Sequence, residues 1–130
     1  MAEKKYDILI VDDDKFLLGM YELKFRNNGH KVTTMTSASD ALAKLKEGYT
    51  PQIALLDIVL PGMDGLQLLE AIRKEHLLEH SAVIMLTNQG GAEEIDKAKS
   101  LNVDGYIVKA TFIPSEVVEE VLKIAEARKI

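Results

Sequence analysis

The sequence has no cysteine among its 130 residues. That excludes a disulfide framework, a thiolate metal site and a cysteine nucleophile, and it fits a reducing compartment. No apolar run approaches the roughly 18 residues that a membrane-spanning helix needs. The opening Met1-Ala2-Glu3-Lys4-Lys5-Tyr6 lacks the apolar stretch of a secretory signal. The expectation is a cytoplasmic protein with no membrane insertion. Positive charge is also scarce: 16 Lys and Arg stand against 21 Asp and Glu, a net charge of -5, with no dense basic patch. Direct nucleic-acid binding is therefore not expected. No sequence repeat is evident, and the chain stops at Arg128-Lys129-Ile130 without a linker. This reads as a single domain over residues 1–130, its core from about 6 to 127, with no output domain attached. A 47% share of hydrophobic residues is ordinary for a globular chain and sufficient for one core.

What is present is organised around Ile53-Ala54-Leu55-Leu56-Asp57, an apolar run that ends in one carboxylate before Leu60-Pro61-Gly62 breaks the chain. Such a run reads as a strand buried on both faces. A carboxylate inside it would be costly, so Asp57 belongs at the strand's end, at the mouth of a cleft. Four more strands read from composition: Ile8–Val11, the less apolar Lys31–Met35, Ala82–Leu86 and Gly105–Val108. Between them lie helical patterns. The first is capped by Asp14, carries Phe16, Met20 and Leu23 on one face with Leu17 and Tyr21 beside them, and ends near Asn27-Asn28-Gly29. The second follows Ser37-Ala38-Ser39-Asp40, which resembles a capping box, and buries Ala38, Ala41, Leu42 and Leu45. The third carries Leu66, Leu68, Leu69 and Ile72. The fourth, Ala92 to Leu101, has only Ile95, Ala98 and Leu101 as apolar residues. The last begins at Pro114 and runs through Val117, Val118, Val121, Leu122 and Ala125.

Strand and helix alternate five times, which predicts an α/β protein: a doubly wound, five-stranded parallel sheet of order 2-1-3-4-5, flavodoxin-like. The weak second strand suits an edge. All five carboxyl ends then lie along one sheet edge, where such folds bind ligands. Asp12 and Asp13 end the first strand, Asp57 the third, Thr87 the fourth and Lys109 the fifth. Three carboxylates at close range repel by up to about 4 kcal/mol per pair. A bound cation relieves this, and an oxygen-only donor set with no His or Cys favours Mg²⁺ or Mn²⁺. Asp57 could then act as a covalent nucleophile toward a phosphoryl group, with Lys109 and Thr87 holding its oxygens.

Val11-Asp12-Asp13, Leu56-Asp57-Ile58-Val59-Leu60-Pro61-Gly62-Met63-Asp64-Gly65, Leu86-Thr87 and Ile107-Val108-Lys109 together resemble the receiver domain of bacterial two-component response regulators, single-domain members included. The resemblance covers Tyr6 to about Ala127. It implies that Asp57 takes a phosphoryl group from a histidine kinase. It also implies Mg²⁺ held by Asp13, Asp57 and the main-chain carbonyl of Val59, with Asp12 acting through water. Thr87 and Tyr106 resemble the family's switch pair. The chain would catalyse only its own phosphorylation and dephosphorylation, act on an unknown output protein, and exist as a monomer or weak homodimer. One departure stands out: the family has Pro directly after the lysine, whereas this chain has Ala110. The Lys109–Ala110 bond is expected to be trans, since a non-proline cis bond costs about 2.5–4 kcal/mol.

Other readings compete. A nucleotide- or flavin-binding module wants glycines after the first strand, where this chain has Asp12-Asp13-Asp14. An aspartyl-phosphate hydrolase of the haloacid dehalogenase type wants a second Asp where Val59 stands. A phosphorelay intermediate, passing phosphate to a histidine phosphotransfer protein, fits the same residues. Tyr106 alone reads as a half-buried strand aromatic, and His30, His76 and His80 read as surface residues.

Overall fold

The computed structural model describes residues 4–130, so Met1 to Glu3, part of the stretch read for a secretory signal, lie outside the described residues. Five strands, β1 (Asp7–Val11), β2 (Lys31–Met35), β3 (Ile53–Leu56), β4 (Ala82–Thr87) and β5 (Gly105–Val108), alternate with α1 (Lys15–Asn27), α2 (Ala38–Lys46), α3 (Gly65–Lys74), α4 (Ala92–Ser100) and α5 (Pro114–Ala127). All pairings are parallel and the order is β2-β1-β3-β4-β5, as the alternation predicted.

Side-chain alternation along each strand divides the core in two. Ile8, Ile10, Ile53, Leu55, Ile84, Leu86 and Ile107 face α1 and α5. Leu9, Val11, Ala54, Leu56, Val83 and Met85 face α2, α3 and α4. The central strands β1, β3 and β4 are therefore apolar on both faces, which is why they read as unbroken runs.

The buried stripe of α1 differs from the expected one. Leu18, Tyr21 and Phe25 are buried, whereas Phe16 is 75% and Leu23 58% exposed. The two sets lie on opposite faces of one helix, both at i, i+3/i+4, i+7 spacing, so periodicity alone did not separate them. Asp14 caps α1 by accepting the Phe16 and Leu17 N–H groups, and Gly29, at φ 88°, reverses the chain into β2. That reversal carries His30 inward. It is buried, not a surface residue: its Nδ1 accepts the Tyr6 N–H at 3.0 Å, and its ring stacks on Tyr6 with centroids 5.7 Å apart. His76 and His80 are exposed, as expected.

Ser37 caps α2 through the Asp40 N–H, but only that half of a capping box forms. The reciprocal box appears on α3, where Asp64 and Gln67 exchange hydrogen bonds. The Lys109–Ala110 bond is trans, and Lys109–Thr111 winds into a 3₁₀ turn. Ile113 offers no capping oxygen to α5; instead the Glu116 carboxylate reaches back to accept its N–H at 2.9 Å.

The reassigned face of α1 is directly testable by urea denaturation. Phe25→Ala should cost about 3–5 kcal/mol. Phe16→Ala should stay within about 0.5 kcal/mol of the parent. A Phe16→Ala cost equal to or above that of Phe25→Ala would overturn the reassigned face.

Candidate functional site

The ladder continues one residue past the ends of β1 and β3. The Asp12 N–H donates to the Met35 carbonyl and the Asp57 N–H to the Val11 carbonyl, both at 3.0 Å. The two carboxylates are thus held by main-chain bonds of the sheet. Asp12 shares the parity of Ile8 and Ile10, Asp57 that of Ile53 and Leu55, and Lys109 that of Ile107, so all three belong to the face of α1 and α5. The Lys109 Nζ donates to Asp12 Oδ2 at 2.6 Å and to Asp57 Oδ2 at 2.9 Å. Lys109 is 8% exposed, Asp57 7% and Asp12 1%, so this pairing is made almost out of water.

Burial would push the Lys109 ammonium down, but its hydrogen bonds to Asp12 and Asp57 hold it above the ordinary lysine value. Burial pushes the Asp12 carboxyl above the usual carboxylate range, against the hydrogen bonds it accepts from Lys109 and the Asp14 N–H. Asp13 is exposed and completes a group in which one oxygen each of Asp12, Asp13 and Asp57 lie within 4.8 Å of one another. One ammonium faces three carboxylates. The donor set is oxygen only, which suits a hard divalent cation and offers nothing to a soft one.

Above the group opens a cavity of about 270 Å³ lined by Asp13, Asp14, Leu17, Asp57, Val59, Asn88 and Lys109. Leu17 was read only as part of a helix face, and neither it nor Asn88 was expected at the site; Asn88 could have been, since it directly follows a strand-end residue. The wall beneath Asp57 depends on Gly65. A Cβ there would lie 1.8 Å from the Asp57 carbonyl oxygen, and the Gly65 N–H donates to the Ile58 carbonyl at 2.9 Å. Only glycine lets α3 start this close to the Asp57 loop.

Thr87 and Tyr106 stand apart from the charged group. Thr87 shares the parity of Val83 and Met85, which places it toward α4, and it is fully buried. Its Oγ1 accepts the Gln89 N–H at 3.2 Å, and the Tyr106 hydroxyl donates to the Gln89 carbonyl. The two expected switch residues thus hold opposite ends of one residue, a link the sequence did not reveal. Neither hydrogen-bonds to Asp57 or Lys109.

Comparison with known proteins agrees with this arrangement. The chain matches the family model described as "Response regulator receiver domain" over residues 8–122. It is 38% identical to the regulatory protein VanRc of Enterococcus gallinarum over 123 residues, covering 93% of this chain and 49% of that protein. It is 31% identical to the alkaline phosphatase synthesis transcriptional regulatory protein PhoP of Bacillus subtilis, covering 95% of this chain and 50% of that one. The chain spans about half the length of these curated relatives. Among solved structures it resembles a CheY-like response regulator receiver domain from Methanospirillum hungatei, with a TM-score of 0.86, 29% identity, and coverage of 97% and 98%. The BeF3-activated DrrB receiver domain gives 0.79, 25% identity, and coverage of 95% and 99%.

Charge balance makes the first test. Lys109→Met leaves two buried carboxylates without their cation and should cost about 3–5 kcal/mol in urea denaturation. Asp57→Asn leaves Lys109 paired with Asp12 and should stay within about 1 kcal/mol of the parent. A mild Lys109→Met would mean that a retained proton or entering water, not the ammonium, makes the pair tolerable.

Proposed function

This chain belongs to the response regulator receiver domain family, and on that premise we propose that Asp57 is the residue that accepts a phosphoryl group in a two-component signalling pathway. The observation that carries the reading is the position of its carboxylate. It ends the central strand, borders an open cavity and is hydrogen-bonded to a buried ammonium at 2.9 Å. A histidine kinase is the proposed donor and the cytoplasm the proposed setting. In the transfer an Asp57 oxygen forms the new O–P bond as the N–P bond of a phosphohistidine breaks, its electron pair returning to the imidazole nitrogen. Lys109, fixed by Asp12, holds its positive charge beside the entering phosphoryl oxygens, where charge redistributes during transfer.

Asp12, Asp13 and Asp57, with the main-chain carbonyl of Val59, would hold Mg²⁺ or Mn²⁺. The cation supplies neutralisation of both the carboxylates and the phosphoryl oxygens. Hydrolysis of the acyl phosphate by water returns Asp57 to its starting state. On this reading the chain turns over no substrate but itself, and its product is a conformational state read by an output partner.

The Gln89 link supplies that state. To the Thr87 hydroxyl, whose oxygen accepts the Gln89 N–H, a phosphoryl oxygen on Asp57 would offer a charged acceptor. Drawing Thr87 toward it frees the Gln89 N–H and loosens the Tyr106 contact at the same residue. α4 buries only Ala98 fully, so it shifts at low cost. One local charge change then biases a two-state element, with a coupling of about 1–3 kcal/mol if typical.

Acetyl phosphate with Mg²⁺, followed by intact mass, tests the acceptor. The parent should gain one phosphate and Asp57→Asn none; an adduct on Asp57→Asn would place acceptance elsewhere, and sustained turnover would mark a hydrolase. Mg²⁺ at ten times its dissociation constant should add about 1.4 kcal/mol of stability, lost in Asp13→Ala; a melting temperature indifferent to Mg²⁺ would count against the acidic group as a metal site. For the switch, amide shifts induced by beryllofluoride should reach residues 92–106 in the parent and weaken there in Thr87→Ala. Shifts confined to the loops of Asp13 and Asp57 would mean binding without signalling through this face.

A further inference from the structure

A larger cavity, about 590 Å³, lies at the opposite edge of the sheet, where β4 and β5 begin. Arg73, His76, Leu77, Glu79, Asn102, Asp104 and Arg128 line it. It draws together the ends of α3, α4 and α5, and the function proposed above uses none of it. We infer that this cavity is a binding site for a small phosphorylated or inorganic phosphate anion, gripped by the guanidinium groups of Arg73 and Arg128.

The argument rests on how the charges there are committed. Asp104 is fully engaged: Oδ2 accepts the Val83 N–H at 2.7 Å, and Oδ1 pairs with Arg128. Glu79 sits at the rim, 58% exposed in its side chain, with its carboxylate on His76. Arg73 is different. It is half-buried, and it donates Nε to the Leu101 carbonyl at 2.9 Å and Nη2 to the Asn102 carbonyl at 3.0 Å. Those carbonyls close the C-terminus of α4 and offset the charge only in part, through the helix dipole. Among the described residues no carboxylate lies within ion-pair distance of Arg73. Burial pushes its guanidinium below the ordinary arginine value, and Arg128 adds to that push, against the opposing charges of Asp104 and Glu79. A half-buried cation beside a second cation is a costly arrangement that an anion relieves.

The chemistry favours phosphate. Each guanidinium has five N–H donors in a planar fork, and the bonds above leave Nη1 of Arg73 and Nε and Nη2 of Arg128 unspent. Two forks with spare donors suit a tetrahedral, multiply charged oxyanion better than a halide. The volume exceeds what a bare phosphate fills, and Leu77 offers an apolar contact for a carrier. Anchored on the last carbonyls of α4 through Arg73, the site is also placed to influence that helix.

The test follows the arginine Nε–H resonances of the full chain by NMR, in EDTA so that the acidic group at the other edge holds no metal and repels anions. Inorganic phosphate should give saturable shifts at Arg73, Arg128 and residues 101–104, and chloride at matched ionic strength should not. Arg73→Gln should weaken binding by about tenfold, the loss of one charge-assisted contact. Glu79→Gln, at an exposed position that leaves the fold intact, should tighten it by removing a rim charge. Ribose 5-phosphate binding more tightly than phosphate assigns an organic ligand; equal affinity assigns the free anion. Shifts reproduced by chloride, shifts centred on Asp13 and Asp57, or a Glu79→Gln variant with unaltered affinity would overturn the inference.

Discussion

One ammonium shared by two buried carboxylates is the constraint on which the rest of this structure depends. Lys109 holds Asp12 and Asp57 within 3 Å of a single nitrogen in a setting almost free of water. Without it, the ends of β1 and β3 would carry adjacent buried negative charges, an arrangement that costs far more than any surface repulsion. With it, the group retains a net negative charge that its own lysine cannot cancel. The fold therefore carries a standing demand for further positive charge at one edge of the sheet, which the proposed metal would meet and which an incoming phosphoryl group would deepen.

The pleat of the sheet then sorts the functional groups by face. Asp12, Asp57 and Lys109 share parity with the core beneath α1 and α5, while Thr87 and Tyr106 share parity with the core beneath α4. The charged centre and the proposed switch pair thus sit on opposite faces of the same edge, joined through strand ends and Gln89. Contact between them has to be made by movement at the edge, because the sheet between the two faces is closely packed. α4, with a single fully buried residue, is the least anchored helix facing that edge. At the far edge, the cavity of Arg73 and Arg128 touches the other end of α4. The most weakly held helix is thus bracketed by the acidic group at one end and the proposed anion site at the other.

The parts of this molecule that were legible before the fold was known are those governed by local rules. Ile53–Leu56 is buried on both faces, and its apolar run announced it. Pro114 starts α5, Gly29 turns the chain at positive φ, and Asp14 caps α1, each through backbone preferences that act within a few residues. The misread positions needed information from farther away. Phe16 and Phe25 lie on the same helix at equally good spacing, and which one is buried depends on where α5 packs. His30 is buried because Tyr6, 24 residues earlier, presents a ring and an N–H to it. Neither fact is encoded near the residue concerned.

By itself the sequence determined the element order, the parallel sheet and which residues would stand at the strand ends, because hydrophobic periodicity and turn chemistry are local and the handedness of crossovers leaves few topologies. It also determined that the charge at that edge would be unbalanced, since one Lys and three Asp are counted without coordinates. Only the tertiary structure decided which oxygen Lys109 binds, that Gly65 must lack a side chain to let α3 approach the Asp57 carbonyl, that Thr87 and Tyr106 meet at Gln89, and that Arg73 stands half-buried with no carboxylate of the described residues at ion-pair distance. These are contacts between residues distant in sequence, fixed to within tenths of an ångström by packing. No rule that reads along the chain carries information at that range or precision.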